Sequence, residues 1–65
     1  MFKLTEREIS ILKAAVLGLS NNEIGEKEFI TSHTVKAHLS SAMKKLGAKN
    51  RAEAIYIAMK NKIID

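Results

Sequence analysis

Apolar residues recur at helical spacing along most of the chain, and no segment alternates with a period of two for long. Because a helix advances about 100° per residue, positions three, four and seven apart share one face. Ile9, Leu12, Val16 and Leu19 follow this spacing, which predicts the buried stripe of a first helix. The pattern predicts an all-α protein with a closely packed core.

Capping residues mark where the helices begin and end. Thr5–Glu8 ("TERE") and Ser20–Glu23 ("SNNE") are capping boxes, and Asn50–Glu53 ("NRAE") is a similar start signal. Gly18 and Gly47 are predicted to end helices. Over residues 1–65 we therefore expect a single domain, a compact four-helix bundle with a central helix-turn-helix. Its helices are predicted at roughly 5–18, 21–28, 32–46 and 50–61.

The third predicted helix has two chemically different faces. The inner face is apolar and consists of Val35, Leu39, Ala42, Met43 and Leu46. The outer face has no acid and consists of His33, Lys36, Ala37, Ser40, Ser41 and Lys44, with Thr34, His38 and Lys45 at its edge. Ordinary exposed helices mix both signs of charge. A slim face without carboxylates is what a helix needs to enter the major groove of DNA.

Positive charge is concentrated on this helix and on the segment that follows it. The chain has 11 basic and 7 acidic residues, a net charge of +4. Residues 29–51 contain Lys36, Lys44, Lys45, Lys49 and Arg51 and no acid, a net of +5, so the other residues sum to −1. This distribution is typical of proteins that bind polyanions, although charge alone fits a solvated basic face equally well.

The start of the third helix offers a second feature that favours phosphate. Thr31 or Ser32 is the predicted N-cap, where free amides and the positive end of the helix dipole attract anions. We expect Thr31 to cap the helix and Thr34 to be the better candidate for a phosphate contact.

Composition excludes several classes of function. There is no cysteine for a disulfide or thiolate metal site, and no apolar run approaches the ~20 residues of a membrane span. His33 and His38 diverge too far around a helix to chelate a metal. No nucleophile–base pair or phosphate-binding glycine loop is evident, and three aromatic residues are too few to stack RNA bases. We expect a cytoplasmic protein that is not an enzyme, with no cofactor, metal or membrane partner.

Five ordered motifs carry a resemblance to a known family. They are "LTERE" (Leu4–Glu8), "GLSNNEI" (Gly18–Ile24), "FIT" (Phe29–Thr31), "TVKAHL" (Thr34–Leu39) and "KKLGAKNRAEA" (Lys44–Ala54). Together they resemble the LuxR/FixJ (GerE-type) helix-turn-helix DNA-binding domain of bacterial transcription regulators. Such domains form the output part of many response regulators, and the resemblance covers nearly the whole chain.

The resemblance implies that the third helix enters the major groove of a near-palindromic operator. Two copies would pair through the fourth helix as a homodimer on DNA, and RNA polymerase is a further implied partner. Base contacts would come from Lys36, Ala37 and Ser40. Contacts to the DNA backbone are expected from the start of the third helix and from residues further along the chain. These residues are Thr31, Ser32, Thr34, His38, Ser41, Lys44, Lys45, Asn50 and Arg51.

The fourth helix has apolar residues on two sides, which predicts a core face and a partner face. The helical wheel places Ala54, Ile55, Ala58 and Met59 on the inner side. The expected dimer interface consists of Tyr56, Ile57 and Lys60. After this helix, the adjacent Ile63 and Ile64 are predicted to fold back onto the core.

Three residues depart from the family pattern. Gly25 replaces a usual alanine, which costs about 1 kcal/mol of helix propensity and is predicted to let the second and third helices approach closely. Glu28 replaces an aliphatic core residue, so we expect its carboxylate to turn to solvent and Phe29 to fill the gap. Ser41 replaces a frequent asparagine, which weakens the backbone contact expected there.

A protein-interaction module is the alternative function. It would be a helix bundle similar to sigma region 4 that contacts polymerase, or an inhibitor that dimerises with a related regulator. Salt-dependent, sequence-specific DNA binding would support regulation through DNA, and its absence would support this alternative.

Overall fold

Four helices and no strand make up residues 3–64, the part of the chain that the computed structural model describes. The helices are α1 (Glu6–Val16), α2 (Asn21–Glu28), α3 (Ser32–Leu46) and α4 (Arg51–Lys60). α3 packs against each of the other three helices, so it lies at the centre of the bundle. The predicted all-α class is confirmed, and a three-residue turn joins α2 to α3 as in a helix-turn-helix.

The predicted caps are present and explain why the helices begin where they do. The Thr5 hydroxyl accepts from the Glu8 amide at 3.0 Å, and the Glu8 carboxylate accepts from the Thr5 amide at 2.8 Å. Ser20 and Glu23 form the same reciprocal pair, and Asn50 Oδ1 accepts from the Glu53 amide at 2.8 Å. Because these cap residues precede the first helical residue, α1 and α4 begin one residue later than predicted.

The core lies between the inner faces of all four helices. Its buried residues are Ile11, Leu12, Ala14, Ala15, Ile24, Val35, Leu39, Ala42, Leu46, Ala54, Ala58 and Ile64. The stripe predicted for α1 is only partly right, because Ile9, Val16 and Leu19 lie at the margin of the core. α1 contacts α2, α3 and α4 and therefore buries a wider face than a single stripe.

The predictions for Glu28 and Phe29 are wrong. The Glu28 side chain is only 14% exposed, and its carboxylate accepts from Ser10 Oγ at 2.6 Å and lies 3.5 Å from the Arg7 guanidinium. Phe29 is 94% exposed and ends α2 in the left-handed conformation, with φ of 61°. Ile30 packs against the core instead. Because α1 supplies polar partners for the carboxylate, this position does not need an aliphatic side chain.

Gly25 brings α2 close to the turn that precedes α3, as predicted. A β-carbon at this position would lie 2.6 Å from the Ile30 carbonyl oxygen and 3.3 Å from the Ser32 amide nitrogen. The missing side chain therefore sets the distance between the two helices.

The end of the described chain folds back onto the bundle, which confirms the prediction for Ile63 and Ile64. The Ile63 amide donates to the Ala58 carbonyl at 2.8 Å, and Ile64 is only 3% exposed. Over residues 3–64, no helix combines the length and the apolar character that crossing a bilayer requires.

Candidate nucleic-acid interface

α3 turns a thin, positively charged surface to solvent. Lys36, Ala37, Ser40 and Lys44 are all exposed, and we call these four residues the exposed ridge. The ridge points outward because the opposite face of α3, with Val35 and Ala42 at its centre, is completely buried. The sequence placed these residues on one face, and the structure leaves that face uncovered within residues 3–64.

Three of the cations in the acid-free segment have side chains that point only to solvent. The ammonium groups of Lys36, Lys44 and Lys49 make no hydrogen bond or ion pair with any other residue from 3 to 64. All three side chains are exposed. Lys49 is absent from the contacts predicted above, although its place in the same basic segment was the signal that could have identified it.

Lys45, in contrast, is bound within the fold. Its ammonium group lies 2.9 Å from Glu8 Oε1, on the first turn of α1. Glu8 is 3% exposed, whereas the Lys45 side chain is 36% exposed. Burial alone would raise the pKa of Glu8, but hydrogen bonds from Lys45, the Thr5 amide and Ser41 outweigh it and lower the pKa from 4.5 to about 2. The pair therefore joins the end of α3 to the start of α1 as charged groups.

Arg51 is also bound within the fold. Its guanidinium donates to the Leu19 carbonyl at 2.8 Å and to Asn21 Oδ1 at 2.7 Å. Asn50, the other predicted backbone contact here, uses its side-chain oxygen to cap α4. These bonds fix the start of α4 against the loop between α1 and α2.

The start of α3 combines capping with exposed donors. Thr31 Oγ1 accepts from the Thr34 amide at 3.1 Å and lies 3.0 Å from Thr34 Oγ1. Thr31, and not Ser32, is therefore the N-cap. Ser32 and His33 are exposed, and their amides belong to the first turn, which has no helical acceptor. This end of α3 can donate hydrogen bonds to an anion.

The remaining predicted backbone contacts, His38 and Ser41, are half-buried at the sides of α3. They flank the exposed ridge but present less surface than its four members. Within residues 3–64, no group of three or more histidine or acidic side chains is arranged to hold a metal ion.

α4 exposes an aromatic surface on the side away from the core. Tyr56 is 61% exposed, and the Lys60 ammonium lies 5.9 Å from the centre of its ring, within the range of a cation–π contact. Ile57 is half-buried against the core, and Met59 is 47% exposed. The helical wheel thus assigned Met59 to the wrong side, because the core contacts of α4 are centred on Ala54 and Ala58. The place of Ile57 in a dimer interface stays a prediction.

Comparisons with known proteins agree with this architecture. Residues 3–58 match the family described as bacterial regulatory proteins, luxR family. The structure of the transcription factor GerE superposes with a TM-score of 0.92 at 31% identity, covering 95% of this chain and 92% of GerE. The crystal structure of ChrA, a response regulator in a heme-sensing two-component system, also superposes with a TM-score of 0.92 at 42% identity.

The oxygen regulatory protein NreC of Staphylococcus aureus is 40% identical over 62 residues, which are 95% of this chain. The match spans only 29% of NreC, and the superposition spans only 32% of ChrA. The similarity to these two proteins therefore concerns one part of each of them.

Proposed function

This chain belongs to the luxR family of bacterial regulatory proteins, and from that premise we propose that it binds specific sequences of double-stranded DNA as a transcription regulator. The family consists of regulatory proteins, so the chain is a regulatory domain and not an enzyme. The observation that carries the proposal is the exposed ridge of α3, which combines positive charge, small side chains and no acid. Such a surface fits the width and the charge of a major groove.

Within the ridge, we assign base contacts to Lys36, Ala37 and Ser40. The lysine reaches hydrogen-bond acceptors on guanine, the serine hydroxyl can donate or accept, and the alanine methyl group suits a thymine methyl group. Contacts to the DNA backbone come from the start of α3 and from Lys44, with His38 and Ser41 at the sides. Backbone contacts fix the position of the domain on DNA, whereas base contacts determine the sequence that it recognises.

We also propose that two copies bind one near-palindromic operator through α4. The exposed aromatic surface of Tyr56 and Lys60 supports this arrangement because an exposed aromatic group is typical of interfaces. Two domains so paired would reach half-sites about one helical turn apart.

The similarity to part of ChrA, a response regulator, supports a role as the output domain of a regulator of that kind. RNA polymerase is the protein partner that such a role implies. DNA binding in a bacterium would place the domain in the cytoplasm.

The test of the proposed function is selection of binding sites from a randomised duplex library with the purified protein. We expect an enriched motif, and binding to it at least about 10³-fold tighter than to a scrambled duplex at 150 mM salt. Equal affinity for the enriched and scrambled duplexes would contradict sequence-specific binding. No DNA binding together with capture of a protein partner would favour the protein-interaction module.

Lys36→Ala tests the assignment of base contacts. We expect a loss of about 1 to 3 kcal/mol in binding to the selected duplex and a smaller loss on the scrambled one, so discrimination falls. Lys13→Ala is the matched control, because it removes one exposed positive charge from α1, outside the basic segment. The assignment is wrong if Lys36→Ala weakens both duplexes equally.

A further inference from the structure

We propose that the five cations of residues 29–51 have two different roles, and that Lys45 and Arg51 are positioning residues and not DNA ligands. The positively charged side chains that contact DNA are then Lys36, Lys44 and Lys49. This inference rests on the proposed DNA-binding function and makes it more specific. It separates residues that the sequence treats alike.

Lys45 is held by a carboxylate that cannot easily release it. Glu8 is 3% exposed, and its Oε1 accepts from both the Lys45 ammonium and the Thr5 amide. Moving the ammonium to a DNA phosphate would leave a buried carboxylate without its cation, which is strongly unfavourable. Lys45 therefore remains with Glu8 when DNA binds, and the charged carboxylate neutralises the positive charge that Lys45 could otherwise offer to a phosphate.

The same contact fixes the rotation of α3 about its axis. Lys45 is in the last turn of α3, and Glu8 is in the first turn of α1. An ion pair at this point joins the two helices far from the turn that connects α2 to α3. Because the exposed ridge projects from the same helix, its direction depends on this contact.

Arg51 is held by hydrogen bonds within the fold as well. It is the first residue of α4, and its two guanidinium hydrogen bonds end on a carbonyl and a side-chain oxygen at 2.8 and 2.7 Å. One acceptor, Leu19, lies in the loop between α1 and α2, and the other, Asn21, is the first residue of α2, so the bonds join the start of α4 to the end of that loop. These bonds hold both terminal nitrogens of a half-buried side chain, so turning the guanidinium towards a phosphate would break them.

Salt dependence measures how many cations contact phosphate. Each neutralised phosphate contributes about 0.9 to the slope of log K against log salt concentration. Three cations give a slope of at most about 2.7 per domain, whereas five would give about 4.5. Deletion of a true contact should lower the slope by about 0.9, and deletion of a positioning residue should not change it.

The adjacent residues Lys44 and Lys45 provide a matched pair of variants. On the selected duplex, Lys44→Gln should lower the salt slope by about 0.9 and leave Tm within about 2 °C of the wild type. Lys45→Gln should leave the slope unchanged, lower Tm by about 4 °C or more, and lower the ratio of selected to scrambled affinity about tenfold. Lys45→Arg, which keeps the cation beside Glu8, should restore that ratio.

A double variant, Glu8→Gln with Lys45→Gln, keeps the test valid if the single change prevents folding. It leaves no buried carboxylate without a partner, and we expect its salt slope to equal that of the wild type. A fall of about 0.9 in the slope of either Lys45 variant would overturn the inference. If folded Lys45→Gln kept the wild-type ratio of selected to scrambled affinity, Lys45 would stabilise the fold without positioning the exposed ridge, which would contradict its positioning role. If the wild type binds no duplex, the proposed function fails before the inference is tested.

Discussion

Glu8 links the cap of α1 to the placement of α3. It caps α1 through the Thr5 amide and pairs with Lys45 at the far end of α3. One buried carboxylate oxygen thus accepts from two different elements. Its pKa, lowered to about 2, shows that the charged form is favoured in the folded protein.

This pKa predicts how stability depends on pH. The folded-state value lies below the ordinary 4.5, so the contribution of Glu8 is complete above about pH 5 and is lost as the pH falls towards 2. The shift corresponds to roughly 3 kcal/mol of the free energy of unfolding. Urea unfolding of the wild type and Glu8→Gln at pH 6, 4 and 2.5 should show that the wild type has the higher free energy of unfolding at pH 6. This difference in free energy should become smaller as the pH falls. A constant difference across this range would show that Glu8 does not titrate as expected.

Phe29 is an exposed residue whose backbone conformation costs free energy. It has φ of 61°, and a left-handed conformation costs a residue with a β-carbon about 1 to 2 kcal/mol. Asparagine tolerates this region, so Phe29→Asn should raise the free energy of unfolding by about 0.5 to 1 kcal/mol. Phe29→Ala removes the ring but keeps the β-carbon and should change stability by less than about 0.5 kcal/mol. Equal gains for both variants would assign the effect to the exposed ring and not to the backbone.

At the scale of helices, the joint between α2 and α3 is fixed from two directions. Gly25 lets the turn approach α2, and Arg7 donates to the Glu28 carbonyl at 3.1 Å. The same guanidinium lies beside the Glu28 carboxylate, which also accepts from Ser10. α1 thus holds the last residue of α2, while the turn itself packs on Gly25.

Gly25→Val should disturb this joint. Its β-carbon would meet the Ile30 carbonyl oxygen at 2.6 Å, so the turn must move away, at a cost of about 1 to 3 kcal/mol in stability. Glu26→Val is the control, because Glu26 is exposed on the same helix and the change affects helix propensity alone. Thermal unfolding monitored by circular dichroism distinguishes the two variants. If Gly25→Val had the same Tm as Glu26→Val, the turn would accommodate the added side chain without a destabilising clash.

For the molecule as a whole, we propose that α3 binds DNA while the outer face of α4 contacts a second copy of the domain. Tyr56→Glu places a charge in the proposed interface and should remove the affinity gained from a second half-site, about 1 to 3 kcal/mol, without changing binding to one half-site. Tyr56→Phe keeps the ring and should behave as the wild type. Affinities for duplexes with one and two half-sites provide the measurement. If Tyr56→Glu retains the full gain from the second half-site, the copies do not pair through this surface.

Local patterns in the sequence were enough to predict the helices and the chemistry of their faces. Capping boxes connect residues three apart, and the glycine that ends α3 acts through its own φ, so neither depends on the rest of the fold. The acid-free face of α3 follows equally from helical periodicity, which is why the exposed ridge could be predicted before any tertiary contact was known.

Which charged side chains remain free to bind a partner depends on how the helices pack together. Lys45 and Glu8 are 37 residues apart in the sequence, Arg51 and Leu19 are 32 apart, and Ser10 and Glu28 are 18 apart. No local pattern encodes such pairs, because they exist only when packing brings separate helices together. Lys44 and Lys45 are identical neighbours in the sequence, yet a 100° turn of the helix exposes one to solvent and brings the other to a buried carboxylate.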